Sequence, residues 1–247
     1  RLLASPRSAG QTRRFRGEEL VVQPLSESAL AGCDVALFAA SGGVAREWAP
    51  LAVEAGAVVI DNSSAFRLKE GVPLIVPEVN PEAAKGHKGL IANPNCTTIL
   101  LLVAVAPLEQ LSPLRRLVVA TYQAASGAGA AAMAELEAGS RAALAGDPVP
   151  AQEFARPLAF NLVPQVDVFL PEADLATREE MKVVWESRKI LQRPELGVVS
   201  TCVRVPVMRA HSEAVFLEFE GAVEPQAARS LLQSAPGVQV IDHGIGD

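Results

Sequence analysis

The stretch Asp34-Val35-Ala36-Leu37-Phe38-Ala39-Ala40-Ser41-Gly42-Gly43, with residues 44–55 and then Ala57-Val58-Val59-Ile60-Asp61-Asn62-Ser63-Ser64, decides the fold. Residues 34–40 read as a buried strand ending in a Ser-Gly-Gly turn. Residues 44–55 place Trp48, Leu51, Ala52 and Ala55 on one helical face. Residues 57–60 read as a second strand that runs into a polar turn. Two strands around one helix, with a polar turn after each strand, make a βαβ unit and a parallel sheet. Ligands of such sheets bind at the carboxyl ends of the strands. The turns at residues 5–8, 41–43, 61–67 and 93–96 are expected along that one edge. Upstream, Leu2-Leu3 ends in a Ser/Pro/Gly turn carrying Arg7, and residues 20–22 read as a short strand.

Downstream, Asn93-Pro94-Asn95-Cys96-Thr97-Thr98 joins an apolar run at residues 89–92 to a longer Ala/Leu-rich run at 99–106, which is long enough for a buried helix. Asn95 suits the N-cap. Cys96 then falls in the first turn, where unpaired N–H groups and the helix dipole favour an anion and lower a thiol pKa. The alternative is a buried structural cysteine behind a proline turn.

The pattern changes after Cys96. Strands are expected at residues 117–123, 198–207, 214–220 and 238–241. Helices are expected over an Ala-rich stretch ending near Leu144, over residues 177–190, where Thr177 and Glu180 form a capping box, and over 224–233. Residues 161–170 read as irregular or extended. This half lacks βαβαβ alternation and reads as α+β. The whole is an α/β chain: a Rossmann-like parallel-sheet domain at residues 1–95, then an α+β domain at 96–247.

The chain has 247 residues, is 49% apolar and carries a net charge of −6. It is globular, and the charge argues against a nucleic-acid partner. Three cysteines, Cys33, Cys96 and Cys202, have no zinc-ligand spacing and fit a reducing, cytoplasmic setting. Cys33 and Cys202 read as small buried packers. No signal peptide and no membrane span are expected. The start at Arg1, without Met, points to a removed N-terminus or a piece of a longer protein.

Several residues carry candidate chemistry. His211 has the pKa range for proton transfer near neutrality, against the plainer reading of a structural histidine. It stands close to Arg204, across a short connection. His87 and His243 read as loop residues. Glu179 and Lys182 share a helical face, either functionally or as an exposed ion pair. Arg67 follows a polar strand end, as an anion grip or a solvated turn. Gly127-Ala128-Gly129-Ala130-Ala131-Ala132 matches a dinucleotide fingerprint, but no acid ends a strand about 20 residues on. It reads as a turn of close backbone approach.

Together, Asn93 to Thr98, Thr121-Tyr122-Gln123-Ala124-Ala125-Ser126-Gly127-Ala128-Gly129, Val203-Arg204-Val205-Pro206 and Ala210-His211-Ser212-Glu213 resemble aspartate-semialdehyde dehydrogenase. Asp61 to Arg67, Val76 to Asn80 and Glu179 to Lys182 fit as well, so the resemblance runs over nearly the whole chain. It implies reduction of aspartyl β-phosphate by NADPH to aspartate semialdehyde and phosphate, in lysine (diaminopimelate), methionine and threonine biosynthesis. It implies Cys96 as nucleophile, His211 as acid/base, and Gln123 positioning the acyl group. Arg204 would hold the α-carboxylate and Glu179 the α-ammonium, with Arg67, Asn95 and Lys182 receiving phosphate. Ser5, Arg7 and Ser8 would contact the adenosine 2′-phosphate, favouring NADP over NAD. Ser41, Gly42, Ser126 and Gly127 would line the cofactor. The resemblance implies that residues 96–247 are the catalytic and dimerisation domain. A homo-oligomer is implied; a metal is not. The family's opening strand and Gly-rich turn, and its closing segment, have no match here, so the chain is expected to be truncated at both ends. A non-catalytic fragment, or an acyl-phosphate reductase with another substrate, are the alternatives.

Overall fold

The computed structural model describes residues 1–241. The chain opens with strand β1 (Leu2–Ala4), a 3-10 turn at Pro6–Ser8, and a hairpin of β2 (Thr12–Phe15) and β3 (Glu18–Pro24). β3 lies parallel to β1 and antiparallel to β2. The sequence reading omits β2. Thr12-Arg13-Arg14-Phe15 is exposed throughout and has no apolar alternation, so only its turn marks it. Arg16 and Gly17 both take positive φ, 51° and 89°, the primed-turn geometry that follows strand twist.

A one-turn helix, α1 (Glu27–Leu30), leads to β4 (Val35–Phe38), α2 (Gly42–Glu54), β5 (Val58–Asp61) and β6 (Leu90–Ala92). β4, β5 and β6 are all parallel, which is the expected βαβ unit with a third strand. The Ser41 side chain accepts the Val44 N–H, so Gly42 and Gly43 lie inside the first turn of α2 instead of in a separate turn. The fully buried stripe of α2 is Ala45, Ala49 and Ala52. Ala55, expected on the buried face, is exposed. The alanine stripe lets the helix backbone approach the sheet closely.

The expectation of four turns on one sheet edge needs correction. The strands up to β6 form two three-stranded sheets, β1-β3-β2 and β4-β5-β6, because β1 and β4 share no ladder hydrogen bonds. The turns after β4, β5 and β6 share one carboxyl edge, whereas residues 5–8 follow β1 in the other sheet. Arg1–Ile75 and Asn80–Pro94 make one compact unit, and Val76–Val79 joins the chain from Asn95 in a second.

In the second unit, α3 (Cys96–Val105) is capped by Asn95, whose Oδ1 accepts the Thr97 N–H at 2.9 Å. There follow β7 (Leu114–Gln123), a 3-10 turn at Ala125–Ala128, α4 (Ala130–Ala145), α5 (Arg178–Ile190), β8 (Gly197–Arg204), β9 (Ser212–Phe219) and α6 (Pro225–Ser234). β7 is central, with β8 parallel on one side and β9 antiparallel on the other. Leu101 and Val105 of α3, Leu114, Leu117 and Val119 of β7, Val183 of α5 and Leu196 form one core. Truncating a leucine of such a core to alanine costs about 2–5 kcal/mol, so this packing fixes α3 and α5 against β7. The Thr177/Glu180 capping box is present. Glu180 also accepts the Cys202 N–H at 3.1 Å, tying the first turn of α5 to β8.

Residues 238–241 do not form the expected strand. Gly237 turns the chain at φ 77°, the Val238 N–H closes onto the Ala235 carbonyl, and no described strand offers this segment a ladder. His243 lies outside the described residues. Among the described residues no helix is long and apolar enough to cross a membrane.

Candidate active site

Cys96 is the first residue of α3 and is exposed. It stands at the positive end of a ten-residue helix. The preceding residue is held from three directions. Asn95 Oδ1 caps α3, its Nδ2 donates to Glu179 Oε1 at 3.0 Å, and its main-chain N–H donates to Glu186 Oε2 at 2.6 Å.

Glu179 is the hub of this arrangement. Its Oε1 accepts from both Asn95 Nδ2 and Gln123 Nε2, the latter at 3.1 Å, and its Oε2 accepts from Lys182 Nζ at 3.0 Å. Burial pushes the Glu179 carboxyl up, but the Lys182 charge and hydrogen bonds from Lys182, Asn95 and Gln123 together bring it below the usual carboxylate range. Lys182 is held above its ordinary value, because Glu179 and Asp167 outweigh its desolvation. Glu179 is only 6% exposed, so this pair is not the exposed ion pair weighed from the sequence.

At the carboxyl end of β7, Gln123 pairs in register with Arg204 of β8. Both neighbouring functional side chains grip the next residue. Arg204 Nη1 donates to the Ala124 carbonyl at 2.8 Å, and His211 Nδ1 accepts the Ala124 N–H at 3.0 Å. With Nδ1 serving as acceptor, the neutral ring carries its proton on Nε2. Burial, and then the nearby Arg204 charge, depress the His211 pKa. Arg204 is itself lowered by burial, while Glu179 and Cys96 favour its charged form. Gly127 leaves room for these tips: a Cβ there would stand 2.9 Å from Arg204 Nη1 and 3.1 Å from His211 Nε2. The fingerprint-like turn is therefore a close backbone approach to two functional side chains. Ser126 beside it is pinned by its N–H to the Met208 carbonyl at 3.1 Å.

The remaining candidates belong to the first unit. Arg67 is 8% exposed, not a solvated turn residue. Its Nε donates to the Asn93 carbonyl at 2.9 Å and its Nη2 to the Asn62 carbonyl at 3.0 Å. It thus joins the turns after β5 and β6. Asn93 Nδ2 adds a 2.7 Å bond to Asn62 Oδ1. Ser41 and Gly42 begin α2 beside that edge. Ser5, Arg7 and Ser8 border or form the 3-10 turn after β1.

Two acids escaped the sequence reading. Glu186 lies two turns beyond Glu179 on the same face of α5, a spacing that was available as a signal. Asp167 pairs with Lys182 at 2.9 Å from a residue with φ 69°, in a segment without periodicity, and nothing local marks it. Cys202 is fully buried and burial pushes its thiol up to about 11, consistent with an inert packer. Cys33 is only half-buried, and the Arg1 guanidinium lies 3.8 Å from its sulfur.

One unit carries the parallel β4-β5-β6 sheet and the other a mixed sheet with a cysteine at the start of a helix. Residues 1–87 match the family model "Semialdehyde dehydrogenase, NAD binding domain", and residues 105–245 match "Semialdehyde dehydrogenase, dimerisation domain". The aspartate-semialdehyde dehydrogenase of Synechocystis sp. is 52% identical over 242 residues, covering 98% of this chain and 71% of the relative. The chain belongs to the aspartate-semialdehyde dehydrogenase family, whose members are oxidoreductases. The crystal structure of aspartate semialdehyde dehydrogenase II complexed with ASA from Vibrio cholerae aligns with a TM-score of 0.93 at 43% identity, covering 96% of this chain and 71% of that one. The crystal structure of aspartate semialdehyde dehydrogenase with NADP from Candida albicans aligns with a TM-score of 0.68 at 26% identity, covering 94% and 68%.

Proposed function

We propose that this chain carries out the NADP-dependent reductive dephosphorylation of aspartyl β-phosphate to aspartate semialdehyde through a thioester on Cys96. The reaction would serve lysine, methionine and threonine biosynthesis in the cytoplasm. The observation that carries this reading is the sharing of Glu179 Oε1. One carboxylate oxygen receives both the cap of the Cys96 helix and the Gln123 amide, while Gln123, Arg204 and His211 meet around Ala124.

Each role follows from the chemistry of the group. The Cys96 thiolate attacks the acyl carbon, and phosphate departs to leave a thioester. Gln123 Nε2 is fixed by Glu179 and orients the acyl group. Arg204, held over Ala124, offers its planar guanidinium to the α-carboxylate. Glu179, kept ionised, supplies the negative charge that an α-ammonium needs. Lys182, Asn95 and Arg67 receive the phosphate. His211 presents Nε2 to the hemithioacetal oxygen, gives it a proton, and takes that proton back as the C–S bond breaks and the Cys96 thiolate is released with the aldehyde.

The donor set of the first unit suits a phosphorylated dinucleotide. Arg7 is an exposed cation on a short turn that Ser5 precedes and Ser8 ends, a combination that fits a 2′-phosphate. Ser41 and Gly42 open α2, where first-turn N–H groups face outward along the helix axis. Ser126 and Gly127 complete the set expected to line NADP. When bound, that cofactor supplies the hydride. The semialdehyde dehydrogenase dimerisation-domain match supports self-association.

The test is phosphate-dependent reduction of NADP by aspartate semialdehyde, followed in the full-length protein and in Cys96→Ala. Loss of about 10³-fold or more in kcat is expected. Sustained turnover after Cys96→Ala, or rejection of aspartate semialdehyde in favour of a longer acyl chain, would overturn the assignment.

A further inference from the structure

The reaction proposed above makes no use of Glu186, whose carboxylate is 1% exposed on α5. An ionised carboxylate persists away from water only where strong donors receive it. Glu186 Oε2 receives the Asn95 N–H at 2.6 Å. The Asn95 side chain points elsewhere: its Oδ1 takes the Thr97 N–H and its Nδ2 donates to Glu179. Two carboxylates seven residues apart on α5 therefore hold the backbone and the side chain of the residue that precedes Cys96. Glu179 acts on the side chain and Glu186 on the peptide.

We propose that Glu186 is a positioning residue for Cys96: by gripping the Asn95 peptide it sets where α3 begins and so where the sulfur stands. The proposal rests on the reading of Cys96 as nucleophile. Two effects follow from one carboxylate, and they are separable. Its hydrogen bond holds the cap, while its charge lies against the positive end of α3 and opposes the helix dipole's pull on a thiolate. The other titratable groups around this end of the site are Arg204 on β8, Glu179 and Lys182 on α5, Asp167 beside Lys182, and His211 ahead of β9. Lys189, on the same helix, is pushed down by burial and partly held up by the nearby Glu186 carboxylate.

The test uses the full-length protein with Glu186→Gln, Glu186→Leu and Glu186→Asp. It reads kcat, KM, and the rate of Cys96 alkylation by iodoacetamide against pH, with the modified peptide identified by mass. Glu186→Gln keeps the acceptor and removes the charge. Its kcat is expected to stay within about threefold, and its alkylation midpoint to move down by about one pH unit. Glu186→Leu leaves the Asn95 N–H unpaired. It is expected to lose about 30-fold or more in kcat at nearly constant KM, and to alkylate more slowly than the equally uncharged Gln variant at every pH. Glu186→Asp keeps the charge but is one methylene too short, and is expected to follow Leu in kcat and to alkylate more slowly than the parent about an unmoved midpoint. It carries the test if the Leu variant does not fold. Parental kcat and an unmoved alkylation profile in the Asp or Leu variant would overturn the proposal, as would a loss of thermal stability with both readouts unchanged. Cys96→Ser separates the two claims. Retained turnover there would sink the nucleophile, while alkylation in the Glu186 variants reports the position of Cys96 without reference to turnover.

Discussion

His211 Nδ1 accepts the main-chain N–H of Ala124 at 3.0 Å, so the residue after Gln123 determines which nitrogen of the imidazole carries its proton. A second proton on the ring would meet a donor, and the ring is already disfavoured as a cation by burial and by Arg204. Above its ordinary value of 6.5 the imidazole is neutral in both the native and the unfolded chain. As pH falls through that value the unfolded chain takes up its proton first, and stability declines until the native pKa is passed. The thermal midpoint is therefore expected to fall less steeply on acidification below about pH 6.5 in His211→Asn than in the parent. Parallel curves would show that His211 carries no such linkage. The same variant is expected to lose about 10²–10⁴-fold in kcat.

Glu179 gives the opposite arrangement of partners and a lower window. Its native pKa is held below 4.5, so its contribution is fully present above that value and is lost as pH falls through the native pKa. Glu179→Ala leaves Lys182, Asn95 Nδ2 and Gln123 Nε2 without a shared acceptor, and is expected to cost about 3–5 kcal/mol. Glu179→Gln retains an acceptor but no charge, and is expected to unfold between these extremes. Denaturant titrations at pH 7 of the three proteins check the order.

Gly127 is expected to tolerate no side chain without loss of function. A methyl group there would press on Arg204 Nη1 and His211, and Arg204 is buried and tied to the Ala124 carbonyl, so it has little room to yield. Gly127→Ala should lower kcat/KM by about 10–100-fold. Its thermal midpoint should move by only a few degrees, about 1 kcal/mol or less. Steady-state kinetics beside a thermal melt distinguishes this from a folding defect, which would lower both together.

Arg7→Ala is expected to raise the KM for NADP by about tenfold or more and to leave that for NAD nearly unchanged, since only the former carries a phosphate for the guanidinium to grip. Equal effects on both cofactors would remove the 2′-phosphate role.

Much of the architecture was legible because its signals are local. The βαβ unit around Ser41, the Asn95 cap, the Thr177/Glu180 capping box and the first-turn position of Cys96 all depend on residues within a few positions of one another. Each is present in the fold. The β2 strand was hidden because exposed Thr12-Arg13-Arg14-Phe15 has no buried face to generate alternation. Residues 238–241 misled for the converse reason: their composition suits a strand, but pairing needs an edge that no described strand provides.

By itself the sequence determined which residue types stand at helix ends and strand ends, and hence which side chains were candidates. Tertiary structure decided their partners. Asn95 and Glu186, Gln123 and Arg204, and Ala124 and His211 are separated along the chain by far more than any local rule spans. Their meeting depends on the packing of α5 beside α3 and on the registers of β8 and β9 against β7. That long-range placement set the tautomer of His211, converted Glu179 and Lys182 from a surface pair into a buried hub, and brought Glu186 to the peptide that begins the cysteine's helix. Local propensity depends on neighbours in sequence, whereas pKa, burial and hydrogen-bond partnership depend on neighbours in space.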